Sequence, residues 1–231
     1  MISLADLTLE RITIEVRYET AFLFWDNSGK VLAEMANGYA DLEVRNVSVS
    51  NVGCDLWAEG LSLSFDSEKA YVIQEHPEKL GTFYEFTTRL FNLIQKHLQV
   101  QTFTRVGCRP VHSYRTKSPE EAATLMRKAL GRAAEDDHLK PFGTDVTEVT
   151  IRVEDESRGH TVHVSNMPRK VPIKVARPFI LDVSGFDSEA IVLDVDAYTK
   201  KIVVAPQLDV HDFVAAPLKN VDVNLFSLFG W

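Results

Sequence analysis

The sequence predicts an α+β protein: antiparallel or mixed sheets with two main helices packed on one side and a C-terminal helix. Three observations carry this expectation. Apolar and polar residues alternate through much of the first 75 positions, as half-buried strands require. Two stretches, 77–98 and 118–131, then change to a three-to-four-residue period. Alternation returns after position 146, so the order is strands, helices, strands, not the β-α-β repeat of a parallel sheet.

Taken in order, Ile12, Ile14, Val16 and Tyr18 alternate with Thr13, Glu15 and Arg17, which predicts a strand with one wet face. Phe22–Trp25 and Lys30–Met35 flank Asp26-Asn27-Ser28-Gly29, which reads as a hairpin turn between two strands. Leu42 and Val44 share one face and Val47 and Val49 the other, so the phase slips near Asn46 and predicts a bulge. Leu61, Leu63 and Phe65 alternate with Ser62 and Ser64, and Tyr71–Gln74 pairs back on them after a polar turn.

From Pro77 to Leu98 the apolar residues Phe83, Phe86, Leu90, Leu93 and Ile94 fall on one stripe of a helix of about five turns, with Pro77 in its first turn. A strand over Thr102–Tyr114 follows. Ser118-Pro119-Glu120-Glu121 is a helix start: Ser118 caps, Pro119 suits the first helical position, and Glu121 completes a capping box. Ala122, Leu125, Met126, Ala129 and Leu130 form the buried stripe, and Gly131 ends the helix.

Residues 133–145 are polar and broken by Pro141 and Gly143, the best internal boundary in what reads as a single domain over 1–231 with two lobes, 1–134 and 146–231. Beyond it, strands are predicted around Val149–Val153, Val162–Val164, Phe179–Val183, Ala190–Val195 and Ile202–Ala205, and an extended, irregular run over Met167–Pro178, which holds three prolines. Pro217, Leu218, Val221, Leu225 and Phe229 predict a final helix.

Composition narrows the function classes. The chain has 231 residues, 45% of them hydrophobic and 25% charged, enough for a sizeable core without disulfides or metals. Its formal net charge of −8 disfavours non-specific binding to nucleic acid or anionic membrane. No apolar run approaches the roughly 18 residues of a membrane span. Cys54 and Cys108 have no C-x-x-C spacing, and the first residues lack the basic start and apolar run of a signal peptide. The expectation is reduced thiols in a cytoplasmic protein.

The stretch from Leu61 to Tyr114 carries a resemblance. A strand leads to Phe65-Asp66-Ser67, a second strand, an aromatic-rich helix, and then a strand in which Arg105, Gly107 and Arg109 make an R-x-G-x-R pattern. This resembles a sporadically distributed family of uncharacterised bacterial proteins whose hallmark is such a strand after such a helix. Pro110 stands where that family often has an aromatic residue, and L-D-V-D at 193–196 and the apolar final segment also fit. The resemblance implies an α+β prokaryotic protein and carries over no catalytic residue.

Arg105 and Arg109 share a strand face across Gly107, an arrangement suited to holding a carboxylate or phosphate. The alternative is that each pairs with a sheet carboxylate while Gly107 admits an aromatic ring. Between 105 and 132, Arg105, Arg109, Arg115, Lys117, Arg127, Lys128 and Arg132 outnumber Glu120 and Glu121. Arg169, Lys170, Lys174 and Arg177 form a second basic segment, and together the two are candidates for an anion-binding or nucleic-acid-binding face. His160 and His163 lie three apart, on opposite faces of a strand, and so do not chelate together. Asp194 and Asp196 share a strand face as a carboxylate pair, Asp136-Asp137-His138 and Asp209–Asp212 are compact polar clusters, and none has a recognised ligand spacing. No nucleophile elbow, P-loop or dinucleotide fingerprint occurs, and Cys108, facing away from the arginines, reads as a core residue.

The sequence therefore names no catalytic residue, cofactor or metal, and its first reading is a non-catalytic binding or assembly protein acting through protein–protein contacts. Phe226, Phe229 and Trp231 are the interface candidates, for a protein partner or a homo-oligomer. An anion or nucleic-acid binder and a metal-dependent hydrolase using Asp194, Asp196 or His211 are the alternatives.

Overall fold

A computed structural model describes residues 6–38, 44–58, 60–131, 146–167, 173–174, 180–181, 190–220 and 229. The strands are β1 (Thr8–Arg17), β2 (Val44–Val49), β3 (Cys54–Ala58), β4 (Leu61–Phe65), β5 (Lys69–Glu75), β6 (Thr102–Phe103), β7 (Arg105–Arg115), β8 (Glu148–Glu154), β9 (Arg158–Met167), β10 (Ile173–Lys174), β11 (Ile180–Leu181), β12 (Ala190–Thr199) and β13 (Val203–Val204). The helices are α1 (Phe24–Gly38), α2 (Gly81–Leu98), α3 (Pro119–Leu130) and α4 (Val210–Asn220). Nine strands form one antiparallel sheet in the order β2-β3-β4-β5-β1-β7-β12-β9-β8. The α+β class is as the sequence predicts.

The register shows why the helices share one side. Cross-strand partners run Val47, Leu56, Leu63, Val72, Ile14, Cys108, Ala197, His160, Val153, one row crossing all nine strands. Facing partners point to the same face, so this face is apolar and must be covered. Two buried clusters cover it. The first joins this face of β1, β3, β4, β5 and the start of β7 to α1, α2 and α4; the second joins β9 and β12 to α3 and Phe229. Phe83, Phe86, Leu90 and Ile94 of α2 are all 0% exposed, so the predicted stripe is the one that packs. The clusters do not follow the two predicted lobes. Helix α3 comes before residue 134 and packs on β8 and β9, whereas α4 comes after 146 and packs with the first cluster.

The capping box at α3 forms with one change of partner. Ser118 Oγ accepts the Glu121 amide at 3.3 Å, and Glu121 reaches back to the amide of Lys117 at 2.6 Å, one residue before the cap. The bulge predicted near Asn46 is present as a register shift between Val44 and Asn46, and Leu61–Phe65 pairs with Ala70–Gln74 as expected.

Three expectations are corrected. The hairpin over 22–35 is instead α1. Phe24, Ser28, Val31, Leu32 and Met35 are its buried residues, a helical spacing, and Phe24 packs edge-on against Phe65 with ring centroids 6.0 Å apart. Asp26 sits in the first turn, where its charge favours a helix start, and a Cβ at Gly29 would meet nothing within 4 Å, so the turn-like tetrapeptide lies on a helix at no steric cost. Helix α2 begins at Gly81, with Pro77 outside it. A helix, α4, already begins at Val210, upstream of the predicted start, with Pro217 inside it; Asp209 Oδ1 starts it by accepting the amide of Asp212 at 3.0 Å, and of the predicted stretch beyond 220 the described residue, Phe229, is helical. Of the strand predicted over 179–183, the described part is β11, paired with β10, and Asp136-Asp137-His138 lies outside the described residues.

Candidate functional site

Three places on the frame hold chemistry: the polar face of the sheet, a cavity under its helix-covered face, and the β2 edge.

On the polar face, β7 lies between β1 and β12, so the carboxylates of both neighbours reach its arginines. Arg105 bonds Glu15 at 3.2 Å and Asp196 at 2.9 Å. Arg109 holds Asp194 with two bonds of 2.7 and 2.5 Å, Nε to one oxygen and Nη2 to the other. The guanidinium of Arg105 also lies 4.6 Å from the centre of the Tyr198 ring. Burial pushes the Asp196 carboxyl above the ordinary range, and the charges of Arg105 and Arg109 pull it back. At the far end, hydrogen bonds from Tyr198, Arg152 and Lys200 bring Glu154 down to about 2. The arginines of the R-x-G-x-R strand are thus occupied by carboxylates of their own sheet, and so are Asp194 and Asp196.

Gly107 is not the residue that admits a ring. A Cβ there would sit 3.6 Å from Arg105 and Asp196, ordinary contact, whereas a Cβ at Gly159 would come within 2.4 Å of the Tyr198 ring. Gly159 faces Tyr198 in the β9–β12 register and lets the ring lie across it, with its hydroxyl donating to Glu154. Sequence reasoning missed Gly159 because its partner is remote in the chain.

The remaining candidates scatter. Arg115, the last residue of β7, and Lys117 just beyond it are exposed, Arg127 and Lys128 are exposed in the last turn of α3, and Arg169 and Lys170 lie outside the described residues. His160 and His163 do fall on opposite faces. His160 pairs with Ala197 on the apolar side, and His163 faces Asp194 and has Nδ1 2.9 Å from Thr150 Oγ1. Among the described residues, no three His, Cys, Asp or Glu side chains gather closely enough to hold a metal ion. Burial pushes the Cys108 thiol far up, which keeps it protonated and inert, as expected of a core residue. Phe229, an interface candidate by sequence, is 1% exposed inside the second cluster. Phe226 and Trp231 lie outside the described residues.

The cavity lies where β9 and β12 pass under α4. Its volume is about 290 Å³, with Arg158 and His160 from β9, Ala197 from β12, and Leu208, Phe213 and Pro217 from the α4 segment around it.

The β2 edge is the third place. Residues 46–52 read Asn-Val-Ser-Val-Ser-Asn-Val, without a charge. Val47, Val49 and Val52 are exposed beside exposed Trp25, whose Nε1 donates to the carbonyl of Asn51 at 3.2 Å and ties the start of α1 to this rim. Exposed Phe22 leads into α1. Sequence reasoning missed the cluster because it assigned Phe22–Trp25 to a strand.

Among the described residues no helix is long and apolar enough to cross a membrane. In comparisons with known proteins, no family model matches the chain and no curated protein matches it.

Proposed function

We propose that this is a non-catalytic binding or assembly protein that acts through protein–protein contacts, with the β2 edge as the contact surface and a second copy of the chain as its occupant. One observation carries the reading: an edge strand whose run from Asn46 on to Val52 carries no charge, beside exposed large apolar side chains. A two-fold axis through Ser48 would set Val47 opposite the copy's Val49 and Asn46 opposite its Ser50, so no charge meets its like. The same operation on β8, centred on Ile151, would oppose Glu148 to the copy's Glu154. On a chain of net charge −8, a neutral seam is where two copies approach at least electrostatic cost. The two cysteines, Cys54 and Cys108, are free and buried, which supports a cytoplasmic site of action.

The test is the mass of the full chain in solution by light scattering, at concentrations on the order of 100 μM. Two chains per particle are expected, with Val49→Lys giving single chains and Val153→Lys, at the opposite edge, changing nothing. Single chains in the unsubstituted protein, or an unchanged dimer in Val49→Lys, would overturn the reading.

A further inference from the structure

His160 is the one polar residue in the row of cross-strand partners that spans the sheet; its companions are Val47, Leu56, Leu63, Val72, Ile14, Cys108, Ala197 and Val153. An imidazole set among aliphatic side chains costs free energy unless something wet or charged meets it. The space it meets is the cavity of about 290 Å³. Arg158 lies two residues earlier on the same strand, so it points to the same face and lines the same cavity.

Neither side chain makes a hydrogen bond or ion pair within the protein among the described residues, unlike Arg105 and Arg109, which are paired with sheet carboxylates; the charge of Arg158 does act on Asp155, whose carboxylate is held by the backbone amides of Ser157 and Arg158. Two carboxylates also line the cavity. Asp209 is engaged at the start of α4, where its Oδ1 accepts the Asp212 amide, and Asp212 is largely in solvent, with its own neighbour His211 at 3.7 Å. The opposite wall is apolar: Leu208, Phe213 and Pro217. The volume, about 290 Å³, lies just below the roughly 300–1,000 Å³ typical of small-molecule sites, so a small ligand is what it would take.

We propose that this cavity binds a small organic carboxylate with an apolar tail, its carboxylate held by Arg158 and His160 and its tail against Leu208, Phe213 and Pro217. A guanidinium offers the planar pair of donors that a carboxylate accepts, and His160 adds one more donor from the cavity floor. The apolar wall selects the tail and excludes water from part of the charged contact. This site is distant in the register from the β2 edge and does not depend on self-association.

The probe is 3-phenylpropionate, with 3-phenylpropanamide as its uncharged counterpart, titrated calorimetrically into the full chain. Saturable binding of the acid is expected, with the amide weaker by about tenfold or more, since each tenfold step is about 1.4 kcal/mol. Arg158→Gln, at an exposed position, should keep the fold by circular dichroism and abolish the preference for acid over amide. Phe213→Leu should weaken both ligands and keep the preference. No saturable binding of the acid, equal affinity for acid and amide, or an unchanged preference in Arg158→Gln would each overturn the proposal.

Discussion

The two faces of the sheet are built from the same strands and held by different forces. On the helix-covered face, nearly every inward residue is aliphatic or aromatic, and stabilisation comes from area removed from water. On the other face, Glu15, Arg105, Arg109, Asp194 and Asp196 meet as ion pairs that remain partly wet. The difference teaches how to read the R-x-G-x-R strand: an arginine pattern on a sheet is first a request for carboxylates on neighbouring strands, and here β1 and β12 supply them.

The largest effect is expected on the apolar face. Phe86→Ala removes a fully buried ring beneath α2 and should cost about 3–5 kcal/mol, read as a fall in the urea midpoint at unchanged slope. A cost below about 1 kcal/mol would mean that burial does not dominate on this side.

The second test uses His112, a buried histidine on the apolar face. His112 is 4% exposed between Leu9 and Leu193, and its Nδ1 has no partner among the described residues. Burial pulls its pKa down to about 4. The folded chain therefore refuses a proton that the unfolded chain accepts below about 6.5, so stability is intact above that pH and falls as the pH drops towards 4. The loss should approach about 3 kcal/mol. Urea midpoints between pH 7 and 4.5 should fall more steeply for the unsubstituted protein than for His112→Gln; parallel curves would show that His112 takes up its proton in the folded state.

The smallest effect is expected on the polar face. Arg109→Met breaks the two-bonded pair with Asp194, but Arg109 is 44% exposed and its pair is screened by solvent. The cost should be about 1 kcal/mol, should shrink in high salt, and should largely disappear in Arg109→Met/Asp194→Leu, where no carboxylate is left behind. A loss as large as that of Phe86→Ala would erase the contrast between the faces.

Much of this division was legible in the sequence where the signal is local. The stripe of α2, the capping box at Ser118, the pairing of Leu61–Phe65 with the strand after it, and the bulge near Asn46 all depend on residues a few positions apart. The misreadings have physical causes. Asp26-Asn27-Ser28-Gly29 has the composition of a turn, and only packing of Phe24 and Met35 into the first cluster tips it to helix. The sequence predicts the final helix from Pro217 onward, yet α4 runs through Pro217 because Asp209 has started a helix upstream. The candidate sites were legible only as residue types. That Arg105 and Arg109 meet Glu15, Asp196 and Asp194 depends on strand order, and that Gly159 makes room for Tyr198 depends on register; neither is written in local spacing.

The interleaving of the two clusters sets a timetable for synthesis. When residues up to 134 have left the ribosome, β7 has β1 on one side and nothing on the other, because β12 is not yet made. Helix α3 is complete by then, but β9 and β12, the strands it covers, are not. The nascent chain must therefore carry an unpaired strand edge and an uncovered apolar helix face until residues 190–199 emerge. Such exposure favours association with chaperones or with other unfinished chains. Closure over so long a separation also makes slow folding the expectation, so the sheet that unifies the finished molecule is the part completed last.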